Sequence, residues 1–474
     1  MYKRISVVVA AIICIVIFFS SCDALTFNSP ENLLRPPKLS GDDGELQSAF
    51  EKAVAEKGEY ILKYPSAGQY RSAFVRKDCD GDGADEAFVF YSLKAEEMSV
   101  YMYMLDFKDR QWQAVSEVMG EGNDVYSIDF CDLNADGTAE VLVGWSSIDS
   151  KANKKLSIYY SDNHQNTMNY KMIALEPYTQ FYTVDIDSDG HKEILTALIN
   201  ATPDSYTTVA KLLKMTNVLG PVWQISPVGQ VNLYQGITSV VGITSGLSGG
   251  RRYIYIDEAA GDSYLTEMLY WDNSQNMLAS AFSVDSLSIA DCPTSRNHPL
   301  VCTDVDKDGE LEIPVTRLLR GSSVVRTKSP EESEKAIQNV LPENIYVTSW
   351  LQYDEGRFTA IDSYIENADQ GFRIAYDEDN MADWAVKFFP DEGISQFFIT
   401  MQSSETDALG APETYLLFTL EATPVQEEAD EESIVASSDE HNFVLSIAEK
   451  GEDSGIDAEY IRSIFSLSEK QGDK

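Results

Sequence analysis

The residues with the plainest chemistry are clustered carboxylates. Four stretches place oxygen-bearing side chains at positions one, three, five and nine of the pattern D-x-D/N-x-D-G-x-x-E. They are Asp78, Asp80, Asp82 and Glu86; Asp132, Asn134, Asp136 and Glu140; Asp185, Asp187, Asp189 and Glu193; and Asp304, Asp306, Asp308 and Glu312. Acids at alternate positions turn three donors to the inside of one tight turn, and Gly at position six lets the chain reverse. Position seven then offers its backbone carbonyl, and the Glu at position nine closes the shell. About six or seven hard oxygens at flexible geometry suit Ca²⁺ better than Mg²⁺, which wants a strict octahedron. An EF-hand would need a helix on each side and its bidentate Glu at position 12. Here apolar β-type runs flank each loop, so the pattern is a strand-connecting calcium loop, with up to four Ca²⁺ sites.

The elements that position these loops repeat with them. The interval from Asp78 to Asp132 nearly equals that from Asp132 to Asp185, and the interval from Asp185 to Asp304 is a little over twice as long. A fourth unit without the loop is therefore expected between the third and the last copies. Each unit offers four short strand-like runs, with the acidic loop joining the first two. In the first these are 71–75, 87–91, 99–107 and 111–119; in the second 125–130, 141–145, 155–160 and 169–175. The third has 181–184, 194–199, 207–215 and 222–227, and the fourth has 237–243, 252–257, 264–271 and 277–282, with a Gly/Ser-rich turn at 245–250 in place of the loop. The fifth has 300–303, 313–319, 345–353 and 358–364, interrupted by an insertion at 321–343. A four-stranded unit of roughly 50 residues repeated in series predicts a mainly β fold: a β-propeller of about five four-stranded blades, with room for a further blade in either flank.

The loops resemble those of FG-GAP or VCBS-type repeats, the calcium-binding blades of integrin α-chain propellers and of many bacterial surface proteins. The resemblance covers roughly residues 60–365 and rests on loop and period, since the literal Phe-Gly and Gly-Ala-Pro signature is absent. It implies that the first, third, fifth and ninth residues of each loop are metal ligands. Asn134 stands where that pattern has Asp, which lowers the charge of the second loop.

The flanks read differently. Lys3 and Arg4 precede an apolar run over 5–19, followed by Phe-Ser-Ser-Cys ending at Cys22. This is the layout of an export signal (1–21) with a lipobox-like end, which implies cleavage before Cys22 and lipidation there. An ordinary signal peptide or an uncleaved anchor is the other reading, and all three export the body. Asp23 after the anchor resembles a retention signal, so the expected location is the outer face of a bacterial cytoplasmic membrane. Residues 22–41 with Pro30, Pro36 and Pro37 read as a tether, and 42–59 as an N-terminal helix with its stop at Gly58. After position 366 the repeat fails. Residues 366–474 read as a small C-terminal α+β domain with an acidic disordered loop at 426–440 and a closing helix at 456–468. Cys292 and Cys302 could close a disulfide, which an even count in an exported chain permits without requiring.

Net charge is −41, which excludes nucleic acid as a partner, because phosphate binding needs a basic surface. No P-loop, G-x-S-x-G, H-E-x-x-H or dinucleotide fingerprint is present, and the four His share no metal-like spacing. The sequence therefore points to a binding or scaffold module for a protein or glycan, held by a lipid anchor and reinforced by calcium. A polysaccharide-active enzyme and a purely structural envelope component are the alternatives. Trp145, Trp271 and Trp350 would favour glycan binding if exposed at one end of the repeats, and core packing is the plainer role for each.

Overall fold

The computed structural model describes residues 42–148, 150–161, 170–202, 205–219, 222–282, 289, 292–326, 343–401, 413–426 and 430–468. The signal segment, the tether with Cys22 and most of the 321–343 insertion lie outside the described residues. The chain is mainly β, and the described residues fold into six sheets.

The first sheet holds Tyr60–Leu62, Phe74–Lys77, Glu86–Leu93, Glu96–Lys108 and Gln111–Met119. The second, third and fourth are four-stranded antiparallel meanders. They comprise Asp124–Cys131, Glu140–Ser147, Ser150–Ser161 and Tyr170–Tyr178; then Gln180–Val184, Glu193–Ala201, Tyr206–Leu219 and Val222–Asn232; then Ser239–Ser248, Arg251–Ala260, Ser263–Asp272 and Met277–Ser280. The fifth is Ile313–Leu318, Tyr346–Asp354, Arg357–Asn367 and Phe372–Ala375, with Phe465–Leu467 added at its edge. The sixth holds Ser323–Val324, Trp384–Phe389, Ile394–Met401, Glu413–Pro424, His441–Ile447 and Ile434–Ser437.

The second strand of each repeat is apolar on both sides because it is covered on both sides. In Glu86–Leu93, Ala87, Val89 and Tyr91 meet the helix Asp42–Val54 through Leu46, Phe50 and Val54. The intervening Phe88 and Phe90 meet Val141, Val143 and Trp145 of the second sheet. Leu142 of that sheet points the other way, to Ile194 of the third. Leu195 faces Ile254 and Ile256 of the fourth sheet, while Tyr253 and Tyr255 face Ile313 and Tyr353 of the fifth. This is the period of two of a strand, used alternately for two neighbours. Burying each large apolar side chain in this way contributes roughly 1.5–3 kcal/mol. A further core joins the fifth and sixth sheets around Phe372, Trp384, Phe397 and Phe418. The sheets thus stack in chain order, and the helix Asp42–Val54 caps the free face of the first.

Four expectations are corrected. The run 300–303 is not a strand; it contributes a single bridge between Thr303 and Glu312. Arg296 and Asp257 hold it to the fourth sheet instead, through Arg296 Nε to the Leu300 carbonyl at 2.9 Å and the Cys302 amide to Asp257 Oδ2 at 3.1 Å. The turn expected at 245–250 is only Gly249 and Gly250, both at positive φ, because the strand continues to Ser248. Two successive left-handed residues make the primed hairpin turn that matches strand twist. The closing helix runs only from Ala458 to Ile464, after which Phe465–Leu467 pairs with Phe372–Ala375 and Phe465 stacks on Phe372 at 5.3 Å. Within the acidic stretch expected to be a disordered loop, Ile434–Ser437 is a strand beside His441–Ile447. Val435 and Ala436 pack on the core there, and Arg462 Nη2 donates to the carbonyls of Glu432 and Ile434 at 2.7 and 3.0 Å.

Candidate metal centres and an adjoining groove

All four acidic loops connect to a strand buried between two layers, and all four are built by the same hydrogen bonds. The Gly amide at position six donates to the first Asp: Gly83 to Asp78 at 3.1 Å, Gly137 to Asp132 at 2.9 Å, Gly190 to Asp185 at 3.1 Å and Gly309 to Asp304 at 3.1 Å. The amide at position two donates to the ninth-position Glu: Cys79 to Glu86 at 2.7 Å, Leu133 to Glu140 at 2.8 Å, Ile186 to Glu193 at 3.1 Å and Val305 to Glu312 at 2.8 Å. Position four is left-handed in every copy: Gly81, Ala135, Ser188 and Lys307 have φ of 73°, 54°, 58° and 66°. Position six is left-handed as well, at 88° to 93°, where Gly removes the steric cost.

Carboxylate oxygens of Asp78, Asp80 and Glu86 lie within 4.8 Å of one another, as do those of Asp185, Asp187 and Glu193, and those of Asp304, Asp306 and Asp308. Asp82 and Asp189 fall outside the first two groups. Their Oδ1 atoms cap their own turns, accepting from the amides of Ala84 at 2.8 Å and His191 at 2.9 Å. Asp136 does the same for Thr138 at 2.9 Å. In the second loop the Asn134 amide nitrogen donates to Asp136 Oδ2 at 2.9 Å, so Asn134 turns a donor where a metal needs an oxygen.

The ninth-position Glu side chains are buried in all four loops. Oε1 of Glu140, Glu193 and Glu312 and Oδ1 of Asp304 are buried without a hydrogen-bond partner. A buried carboxylate oxygen without a partner is costly, and a cation is the natural remedy. Burial pushes the Glu86 carboxyl up to about 7, with the charges of Asp80 and Asp106 adding to it. Burial likewise pushes Glu140 up to about 8 and raises Glu312. Clustered hard oxygens, with the ninth-position Glu buried, could hold a hard cation. Asp78, Asp80 and Glu86, and Asp304, Asp306 and Asp308, are the side chains brought together to hold it; Asp132, Asp136 and Glu140 are not gathered within the same distance, and Glu312, though buried, lies outside the last group.

The third loop differs. The Lys214 ammonium lies 2.7 Å from Asp187 Oδ2, 2.6 Å from Asp189 Oδ2 and 2.9 Å from Glu193 Oε1. The loop pattern carries no signal for Lys214, which arrives from the next strand but one.

Beside the third loop is a groove of about 620 Å³. Asp187 and Ser188 form one wall, and the fourth sheet supplies Gly250, Arg251, Arg252, Tyr270, Trp271, Asp272, Asn273 and Ser274. Trp271 packs one side on the core between the third and fourth sheets and lines the groove with the other. The Arg251 guanidinium lies 4.7 Å from the centre of the Tyr270 ring. Asp272 accepts from Ser274 Oγ at 2.6 Å and from its amide at 2.8 Å, which holds its carboxyl below the ordinary range. Trp145 and Trp350, by contrast, are buried core residues. Cys292 and Cys302 are both buried and free, with no disulfide between them. No protein-family model matches the chain, and no curated protein matches it.

Proposed function

We propose that this chain is an extracytoplasmic glycan-binding module, built from FG-GAP/VCBS-type propeller blades, reinforced by structural calcium and tethered by lipid at Cys22. The carrying observation is Trp271: alone among the three tryptophans singled out from the sequence, it lines a groove rather than a core. An aromatic face flanked by Arg251, Arg252 and Asn273 offers both the apolar platform and the polar donors that a sugar ring requires. The two arginines and the overall charge favour sugars with acidic substituents, since other surfaces of so acidic a chain repel them. The blades form an open arc in this reading, because the helix Asp42–Val54 covers the face against which a last blade would close the ring.

Binding is favoured over cleavage of the sugar. Glycoside hydrolysis uses two carboxyls flanking one bond. Of the acids lining the groove, Asp187 is taken up by Lys214 and Asp272 by its own turn.

The test is a glycan array on the purified protein, followed by titration of each hit against tryptophan emission. Trp271→Ala should weaken binding at least tenfold; losing its core contact lowers the melting midpoint, but the variant should keep a β-type far-ultraviolet spectrum and a cooperative melt. Equal binding by the variant, or an array without hits alongside a protein recovered by pull-down, would refute the glycan reading. Anchoring is tested separately: a Cys22→Ser protein should move from the membrane to the soluble fraction, and its retention would point to a different anchor.

A further inference from the structure

One position on the third strand of each loop-bearing sheet faces the acidic loop. The last pairs of register before the loops are Ala87 with Leu105, Val141 with Tyr159, Ile194 with Leu213 and Ile313 with Leu351. The next residue pair therefore sets Asp106 opposite Glu86, Tyr160 opposite Glu140, Lys214 opposite Glu193 and Gln352 opposite Glu312. The contacts agree with the register. Asp106 is buried on this strand, and its Oδ2 pairs with Lys108 at 2.7 Å. Gln352 Nε2 donates to Asp308 Oδ2 at 3.2 Å. Lys214 reaches three of the acids in its loop.

Of these four residues only Lys214 is a cation. Its ammonium donates to Asp187 Oδ2 at 2.7 Å and Asp189 Oδ2 at 2.6 Å, and lies 2.9 Å from Glu193 Oε1 as a close ion pair. The side chain is 17% exposed, so the pairs are shielded and not a loose surface contact. A calcium ion would need the same oxygens of Asp187 and Glu193, and it would have to displace the ammonium into a less favourable place.

We propose that Lys214 closes the third loop in place of calcium, and that the other three loops are the cation sites. This rests on the reading of the loops as calcium sites. The consequence is specific to the groove. Asp187 and Ser188 form its wall, so the wall is held by a covalently attached cation and keeps its form when calcium is scarce. Position four of that loop, Ser188, is the exposed edge of the wall.

The experiment combines calorimetric calcium titration with hydrogen exchange of the purified full-length protein. The wild type should take up three calcium ions. Its 132–140 segment should lose protection at least tenfold in EDTA, while 185–193 should exchange equally in calcium and in EDTA. Lys214→Gln, which copies the residue at the same position of the fifth sheet, should take up four ions and make 185–193 calcium-dependent. Asp106→Lys, the converse exchange, should remove one ion from the count. Four ions in the wild type, or a Lys214→Gln protein whose 185–193 segment stays indifferent to calcium, would overturn the proposal. The two levels of failure separate: a wild type indifferent to calcium at 78–86, 132–140 and 304–312 sinks the reading of the loops. Calcium uptake at 185–193 in Lys214→Gln would even then support the place of Lys214.

Discussion

Arg296 donates from Nη2 to Asp257 Oδ1 at 2.8 Å, with both side chains withdrawn from solvent. The guanidinium also reaches the Leu300 carbonyl from Nη2 and Nε and Thr266 Oγ1 from Nη1 at 2.9 Å. This pair stitches the segment before the last acidic loop to the fourth sheet, the one sheet of the first five that has no such loop. Removing one partner of a buried pair leaves the other charge unpaired, at about 3–5 kcal/mol. Arg296→Met should lower unfolding free energy by that amount in a denaturant melt. Adding Asp257→Leu should recover part of it, because an apolar pair carries no stranded charge. A loss below about 1 kcal/mol for the single variant would show that the pair is not structurally important.

Calcium should stabilise the protein without being required for its fold. The fourth sheet keeps the same four-stranded meander with a two-glycine hairpin in place of the loop. At a calcium concentration 100 times the dissociation constant, one site contributes about 2.7 kcal/mol by linkage. EDTA should therefore lower the melting midpoint while leaving the far-ultraviolet spectrum β-type. Asp304→Ala should remove one ion, and a midpoint unchanged by EDTA would refute calcium binding.

The fourth sheet also buries Glu258 and Glu267 together. Burial raises the Glu267 carboxyl to about 7, and raises Glu258 well above the ordinary range, with the Glu267 charge as the next cause. Both folded values lie above the unfolded value of about 4.3. The folded chain thus holds protons that the unfolded chain would release. Their stabilisation is full below the unfolded value and is lost as pH rises through about 7. With calcium saturating, unfolding free energy should fall between about pH 5 and pH 7, by up to about 1.4 kcal/mol per unit for each such group. Glu258→Gln should flatten the slope, and an identical slope in that variant would remove this pair as its source.

Cys79, Cys131, Cys292 and Cys302 are buried free thiols. Burial pushes the Cys131 thiol up to about 11, and Cys302 rises through burial and the Asp257 charge beside it. Thiolate is the reactive form, so none should react with iodoacetamide at pH 7 until the chain unfolds. Fast labelling of Cys292 or Cys302 in the native protein would contradict the packing described above.

The strands of the first four repeats were legible because their signals are local. Val141–Trp145 and the 253–256 stretch are continuous apolar runs bounded by turn residues or charges, and the second strand of each unit is found within three residues of its expected end. The loops were legible for the same reason, since donor spacing and the Gly at position six act within nine residues. Failures came where pairing is distant in sequence. Phe465–Leu467 scans as the end of a helix, yet Phe372 supplies both a stacking partner and a strand edge for it. Ile434–Ser437 lies in an acidic stretch, and only the neighbouring strand and Arg462 make a strand of it.

By itself the sequence determined the repeated unit: a carboxylate turn leading into a strand apolar on both faces. Short-range sterics and the alternation of side chains suffice for that. What faces each turn was decided by tertiary structure, because cross-strand register joins residues with no fixed spacing along the chain. Register is set by which side chains are buried between layers, and a slip of one residue would reverse every face. That is why four near-identical loops meet Asp106, Tyr160, Lys214 and Gln352, and why one of them is answered by an ammonium.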